Sequence, residues 1–133
     1  MTREVLLPPG WAQARGYANG IVAEGRQLFV SGQIGWDAEQ RIVSDDFAAQ
    51  ARQALANIVA VLTCAGARPE QLVRLTWYVT SRDEYNAAME AVGISYRELI
   101  GRHYPAMSVI VVAALLEPRA KVEIEATAVI EAG

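Results

Sequence analysis

The sequence predicts an α+β protein whose mixed β-sheet carries two long helices on one face. Segments with the two-residue periodicity of strands alternate with two segments that have the periodicity of helices. The chain has 133 residues, which we assign to one domain covering residues 1–133. Hydrophobic residues make up 53% and charged residues 20% of this short chain. Such an apolar surplus predicts a surface that is buried against another subunit.

Three strands are predicted before the first helix. The first is short and covers residues 5–7, and the next two cover residues 17–23 and 28–34 on either side of a glycine-containing turn. Their proximity along the chain predicts a hairpin. Gly32 and Gly35 interrupt the end of the third strand, which indicates a bulge or a close approach to the backbone.

Two helices are predicted from apolar stripes. The first covers residues 47–65, where apolar residues recur every three or four positions. Its stripe consists of Phe47, Ala51, Leu55, Ile58, Leu62 and Ala65. Ser81 and Glu84 have the spacing of a capping box and predict the start of the second helix. The second stripe consists of Tyr85, Met89, Val92, Tyr96 and Leu99. Gly66 and Gly101 follow the two helices as stop signals.

Three further strands complete the predicted sheet. Residues 73–80 and 122–130 alternate between apolar and polar side chains, so each strand is expected to bury one face. Residues 107–115 are nearly all apolar, which predicts a strand that is buried on both faces. No element of the chain remains to cover the second face of this strand. Another subunit is the simplest cover, so the pattern itself predicts an oligomer.

Charge and composition narrow the class of function. The formal net charge is −3 and the single lysine is Lys121, so the basic stripe of a nucleic-acid-binding protein is missing and no nucleic-acid partner is expected. Cys64 is the only cysteine, which excludes an internal disulfide. The start does not resemble a signal peptide, and no apolar run has the length of a membrane span, so we expect a cytoplasmic protein with no membrane partner.

Several segments, in order and with conserved spacing, are similar to one known family. They are residues 16–20 (GYANG), 28–34 (LFVSGQI), 50–58 (QARQALANI), 73–79 (VRLTWYV), 104–106 (YPA) and 122–126 (VEIEA). On these motifs the chain is identified as a member of the Rid/YjgF family, formerly named after endoribonuclease L-PSP. The resemblance covers roughly residues 11 to 130.

The resemblance implies a chorismate-mutase-like fold and a homotrimer, in which the sheets form a central β-barrel and the helices lie outside. It implies pockets for small molecules in the clefts between subunits. The activity that it implies is hydrolysis of reactive enamines and imines, such as 2-aminoacrylate, to a keto acid and ammonia. This chemistry requires no cofactor and no metal.

The resemblance also assigns the candidate site residues. Glu123 corresponds to the glutamate near the attacking water, and Tyr17 to a pocket tyrosine whose hydroxyl binds ligand or water, so these two are the predicted catalytic residues. The predicted substrate-binding residues are Ser31, Gly32, Trp36, Met107, Ser108 and His103. Purely structural roles remain open for each, such as a solvated strand face for Glu123 or a core position for Tyr17. Trp36 beside a pocket lined by Met107 would favour a flat, apolar ligand.

Met107 is a departure from the family, because it stands where the family has an arginine that holds the substrate carboxylate. A thioether cannot replace a charge-assisted hydrogen bond, which is worth about 1.5–3 kcal/mol. The family's asparagine in the second helix is also not evident, and Met89 or Gly93 falls near its place.

A cation elsewhere in the chain is a candidate replacement for the arginine. Arg102 and His103 lie a few residues before Met107 and are the first candidates, and Arg15 and Arg119 are weaker ones. The sequence thus leaves two main hypotheses. One is a hydrolase of a non-standard enamine or imine, and the other is a catalytically inactive trimer that binds a small metabolite. A ribonuclease is a third, disfavoured by the acidic charge.

Overall fold

The computed structural model describes residues 3–131. Six strands, three α-helices and one 3₁₀ turn (Pro69–Gln71) follow one another in this part of the chain. The elements are β1 (Arg3–Leu6), β2 (Gly20–Ala23), β3 (Arg26–Ile34), α1 (Phe47–Cys64), β4 (Leu72–Val79), α2 (Arg82–Ala87), α3 (Met89–Leu99), β5 (Ala106–Val111) and β6 (Val122–Ile130). No helix within residues 3–131 is both long and apolar enough to cross a membrane.

The main sheet has four strands in the order β3-β6-β4-β5. Strand β6 is antiparallel to both β3 and β4, whereas β4 and β5 are parallel. A parallel pair requires a crossover, which α2 and α3 provide between β4 and β5. The mixed sheet confirms the predicted α+β class.

Helix α1 confirms the first predicted helix, and its apolar stripe is buried. It begins after Asp46, whose side chain accepts a hydrogen bond from the backbone N–H of Ala49 at 3.0 Å. The helix packs on β3 and β6 and contacts α3. The apolar residues of β4 and β6 alternate as predicted and face this helix layer, so both helices lie on one face of the sheet. At the start of β4 a register irregularity places Leu72, rather than Val73, in the core.

The predicted hairpin between the second and third strands is wrong. Strand β2 pairs with β1 in a separate two-stranded sheet, and β3 pairs with β6. Gly25 has a φ of 149° and packs so closely on β6 that an added Cβ would lie 2.2 Å from the carbonyl oxygen of Ile130. This close packing directs the chain from the turn onto the last strand.

The second predicted helix is two helices, because Ala88 has a ψ of 0° and interrupts it between α2 and α3. The Ser81 hydroxyl accepts a hydrogen bond from the backbone N–H of Glu84 at 3.1 Å, as a capping box requires. The Glu84 carboxylate instead accepts a hydrogen bond from Lys121 Nζ at 2.9 Å. The Ser81 hydrogen bond of the predicted capping box is therefore present, whereas the Glu84 side chain binds Lys121 instead.

The prediction that residues 107–115 are buried on both faces is also wrong for the single chain. Strand β5 ends at Val111 and lies at an edge of the sheet, where no neighbouring strand covers it. Val109, Ile110 and Val111 are 39%, 43% and 52% exposed. The apolar residues do form a strand, but residues 3–131 do not bury these side chains on both faces.

Candidate functional site

The sheet face that the helices do not cover, here called the open face, carries polar side chains from β4 and β6. Pairing between these strands places Tyr78 opposite Glu123 and Thr76 opposite Glu125. The Tyr78 hydroxyl donates a hydrogen bond to Glu125 Oε1 at 2.7 Å. This bond, burial and the negative charges of Glu125 and Glu123 raise the pKa of Tyr78. Tyr78 therefore stays protonated and holds Glu125 in place.

Glu123 lies against Gly32 on the open face. The pairing of β3 with β6 is interrupted between Val30 and Gln33, which confirms the bulge predicted from Gly32. A Cβ added to Gly32 would lie 2.2 Å from Oε2 of Glu123, so the carboxylate occupies space that only a glycine leaves open. Ser31 and Gly32 are themselves exposed. The structure thus brings Ser31, Gly32 and Glu123 together, and we call these three residues the Glu123 group.

Ser108 shares the open face but lies farther across the sheet. Its strand, β5, is separated from β6 by β4, where Ser108 pairs with Thr76.

Gln33 Nε2 donates hydrogen bonds to the carbonyl oxygen and hydroxyl of Ser31 at 3.1 and 3.3 Å and stiffens the bulge. The open face therefore presents two carboxylates. That of Glu125 accepts a hydrogen bond from Tyr78, and that of Glu123 lies against the backbone of Gly32.

Met107 lies on the other side of the sheet. It pairs with Leu75, a buried residue of β4, and packs against the core below the helices. There it lines a cavity of about 190 Å³ between α3 and β5, here called the Met107 cavity. The lining residues are Gly16, Trp77, Tyr85, Met89, Val92, Gly93, Tyr96, Arg97, Tyr104 and Met107. Most of this lining is apolar or aromatic, so the cavity suits the apolar part of a ligand.

Tyr17 lies beside this cavity, next to the lining residue Gly16. The backbone N–H of Ala18 donates to the carbonyl oxygen of Pro105 at 2.9 Å, and this bond fixes the segment along the start of β5. The Tyr17 side chain is 44% exposed, so the alternative of a core tyrosine does not hold in the single chain. The candidate residues therefore form two groups on opposite faces of the sheet, and one chain does not bring Glu123 and Met107 together.

Trp36 and His103 lie apart from both groups. Trp36 lies in the loop that follows β3. Its backbone carbonyl oxygen accepts a hydrogen bond from Asn57 Nδ2 at 2.9 Å, and Trp36 does not line the Met107 cavity. His103 is 45% exposed, and its Nε2 lies 4.0 Å from Oε2 of Glu70. The single chain therefore places His103 next to a carboxylate rather than in the cavity.

Of the other candidate replacement cations, Arg102 is exposed and does not line the Met107 cavity, and Arg119 pairs with a carboxylate. Arg119 Nη2 lies 2.9 Å from Asp45 Oδ1, and this bond lowers the pKa of Asp45. The arginine that does line the Met107 cavity is Arg97, which the sequence interpretation missed. A signal was present, because Met89, Gly93 and Arg97 are spaced by four residues and must share one side of a helix.

Comparisons with known proteins agree with the motifs. The family model described as Endoribonuclease L-PSP matches residues 11–130. YyfB of Yersinia pestis, a Rid-family protein of unknown function, has a solved structure similar to this one, with a TM-score of 0.87, 35% identity, and coverage of 98% of this chain and 100% of that chain.

Two relatives at the sequence level carry an enzyme name. The 2-iminobutanoate/2-iminopropanoate deaminase of Salmonella typhimurium is 34% identical over 108 residues, which are 79% of this chain and 80% of the relative. The human protein of the same name is 31% identical over 114 residues, 85% of this chain and 79% of the relative. The chain therefore belongs to the Endoribonuclease L-PSP family, which is the Rid/YjgF family that its motifs indicate.

Proposed function

We propose that this protein hydrolyses an enamine or imine to a carbonyl compound and ammonia, at clefts between the subunits of a homotrimer. Family membership and two relatives named as imine deaminases support the reaction class. The observation that carries the proposal is the contact of the Glu123 carboxylate with the bare backbone of Gly32 on the open face. We propose further that the substrate differs from the small imino acids in the relatives' names, because Met107 lacks the charge to hold their carboxylate.

The chemistry needs one group that takes and returns protons. The oxygen of a water molecule bonds to the imine carbon while Glu123 accepts a water proton and passes it to the imine nitrogen. The C–N bond of the resulting carbinolamine then breaks, as the hydroxyl proton passes through the same carboxylate to the nitrogen. The nitrogen leaves as ammonia and a carbonyl group remains. No cofactor takes part in either step.

Glu123 suits this role better than its neighbour Glu125. Glu125 already accepts the hydrogen bond of the Tyr78 hydroxyl, whereas the structure records no hydrogen bond between the Glu123 carboxylate and the described residues. The Glu123 carboxylate is therefore available to a water molecule and a substrate. The test is whether the chain accelerates ammonia release from imines that an amino-acid oxidase generates in the assay, and whether Glu123→Gln removes this acceleration.

The trimer is proposed because each group of candidate residues is half of a site. The Glu123 group lies on one face of the sheet and the Met107 cavity on the other, so a second subunit is the simplest way to complete either half. Strand β5 is an uncovered edge with apolar residues, and Phe29 on the opposite edge strand is 71% exposed. Exposed apolar edges pair with other chains unless they are covered.

Sedimentation equilibrium tests this assembly. We expect about three times the 14.5 kDa mass of one chain for the natural sequence. Ile110→Glu, which adds a charge to the apolar edge of β5, should lower the measured mass to that of one chain at micromolar concentration. Ile94→Glu is the matched control, because Ile94 is also half exposed, at 48%, but lies on α3. A natural chain that is folded and monomeric would contradict the trimer.

Gly32→Ala should displace the proposed base without unfolding the protein. The added methyl carbon would approach Glu123 Oε2 to 2.2 Å, and the carboxylate is the movable end of a side chain, so it is the group that shifts. We expect imine hydrolysis to fall by about 10- to 100-fold, with a change in the free energy of unfolding below about 1.5 kcal/mol. Gly20→Ala is the control, because its Cβ would meet Leu6 at an ordinary 3.7 Å. Unchanged turnover in Gly32→Ala would contradict the role of this contact.

A trimer that binds a metabolite without turnover is the second candidate function. Met107 favours it, because the cavity persists while position 107 carries no charge. Saturable binding without ammonia release would support this candidate. Ribonuclease activity, which the family's description suggests, is not proposed, because a net charge of −3 disfavours binding to the phosphate backbone.

A further inference from the structure

We propose that Arg97 is the anion anchor of the Met107 cavity, and that this cavity binds a carboxylate with a bulky aliphatic or single-ring aromatic body. If the proposed function holds, this makes the substrate an imino acid with a large apolar side chain. The assignment of a substrate rests on the proposed function, whereas binding of the anion does not.

The position of Arg97 follows from its helix. Arg97 lies on α3 one turn after Gly93, and a Cβ added to Gly93 would lie 3.3 Å from Arg97 Nη1. The guanidinium therefore lies over the bare turn of the helix. Glycine inside a helix is less stable than alanine. At this position it leaves the guanidinium room to lie close to the helix, whereas an added Cβ would require the flexible arginine to move by a few tenths of an ångström.

The charge of Arg97 is not neutralised by the described residues. The Arg97 side chain is exposed, and the structure records no ion pair or hydrogen bond between this side chain and any of them. By contrast, Arg52 pairs with Glu98 at 2.9 Å and Arg119 with Asp45 at 2.9 Å. Among residues 3–131, no carboxylate lines the Met107 cavity and Arg97 is the one permanently charged group in its lining. A cavity with one cation and no anion selects a negatively charged ligand.

A second donor lines the same cavity. Trp77 is 3% exposed, and its indole Nε1 is buried without a hydrogen-bond partner among the described residues. This N–H is buried, so a ligand oxygen reaches it only if the surrounding side chains shift, and its signal serves as a reporter of the cavity. The arginine fork is the donor that a carboxylate meets directly.

The size of the cavity sets the body of the ligand. Apart from Arg97, its walls are mainly apolar and aromatic, including Tyr85, Val92 and Met107. A cavity of about 150 Å³ lined by apolar side chains holds benzene. The Met107 cavity, of about 190 Å³, therefore has room for a single ring or a branched aliphatic chain.

The experiment compares phenylacetate with its uncharged analogue phenylacetamide. Binding is followed by NMR through the indole N–H signals of the natural chain and of the Arg97→Gln and Arg102→Gln variants. We expect phenylacetate to shift the Trp77 signal, and phenylacetamide to bind about tenfold or more weakly. Arg97→Gln should raise the Kd of phenylacetate by about tenfold or more, whereas Arg102→Gln should leave it unchanged. Arg102 is the control because it is exposed, as Arg97 is, but lies outside the cavity lining.

Two results would overturn the proposal. One is a Kd for phenylacetate that Arg97→Gln leaves unchanged, and the other is equal binding of phenylacetate and phenylacetamide by the natural chain. Ammonia release by the same variants separates this inference from the proposed function. Turnover that needs Glu123 but not Arg97 contradicts the anchor alone. Binding that needs Arg97, in a protein without turnover, supports the anchor and contradicts the hydrolase.

Discussion

Glu123→Gln is expected to lower the rate of imine hydrolysis by about 10²- to 10⁴-fold, the contribution of a positioned general acid–base group. Glutamine has nearly the shape of glutamate but cannot accept a proton and return it. Because the Glu123 carboxylate lies against Gly32 and has no recorded hydrogen bond with the described residues, the substitution should leave the fold intact. The measurement is release of ammonia and keto acid from imines generated in the assay, corrected for hydrolysis in buffer.

Glu125→Gln is the matched control for this prediction. Glu125 lies two residues away on the same open face, and its carboxylate accepts the Tyr78 hydrogen bond at 2.7 Å. A glutamine oxygen can accept the same bond, so turnover should change little. The pKa of Tyr78, which the Glu125 carboxylate raises, should move back toward its ordinary value. High activity in Glu123→Gln together with loss in Glu125→Gln would identify Glu125, rather than Glu123, as the base.

The local periodicity of the sequence predicted the elements that form the core. Helix α1 and strands β4 and β6 appear where the apolar pattern places them, because each buries one continuous side against the others. Periodicity describes one element at a time, however, and does not state which strands are neighbours. This is why the interpretation joined β2 to β3, although Gly25 directs β3 to β6.

Strand β5 shows that the sequence pattern also does not reveal which chain buries an apolar strand. Its apolar run predicted burial on both faces, yet Val109 to Val111 are exposed at the edge of the sheet in the single chain. A sequence indicates that a side chain requires cover and does not indicate whether the cover belongs to the same chain. The break at Ala88 was missed because alanine favours helices and carries no stop signal.

The candidate site was predicted residue by residue, but its arrangement was not. The motifs assigned Glu123 and Gly32 separately, and their contact depends on the interrupted pairing of β3 with β6. Arg97 was missed because a charged residue on a helix most often faces solvent, and Arg97 is itself exposed although it also lines the cavity. Only the packing of α3 beside β5 places it in the same cavity as Met107.

Placing an arginine at position 107 should compensate for the loss of the arginine at position 97. The imine derived from phenylalanine is an imino acid with a large apolar side chain, and Arg97→Met is expected to lower its hydrolysis by about tenfold or more, through the loss of one charge-assisted anchor. Adding Met107→Arg to this variant restores one cation to the lining of the same cavity. The double variant should therefore regain turnover, with a preference shifted toward small imines such as the one from alanine, because the longer side chain fills part of the cavity.

The single variant Met107→Arg provides the contrast. It would place two guanidinium groups in a cavity of about 190 Å³ with no carboxylate in its lining, so their repulsion should lower the free energy of unfolding. Its turnover should accordingly be below that of the double variant when both are folded, as circular dichroism would establish. Additive effects of the two substitutions would mean that positions 97 and 107 do not serve one ligand. A double variant that outperforms both single variants requires instead that a cation at either position holds the same carboxylate.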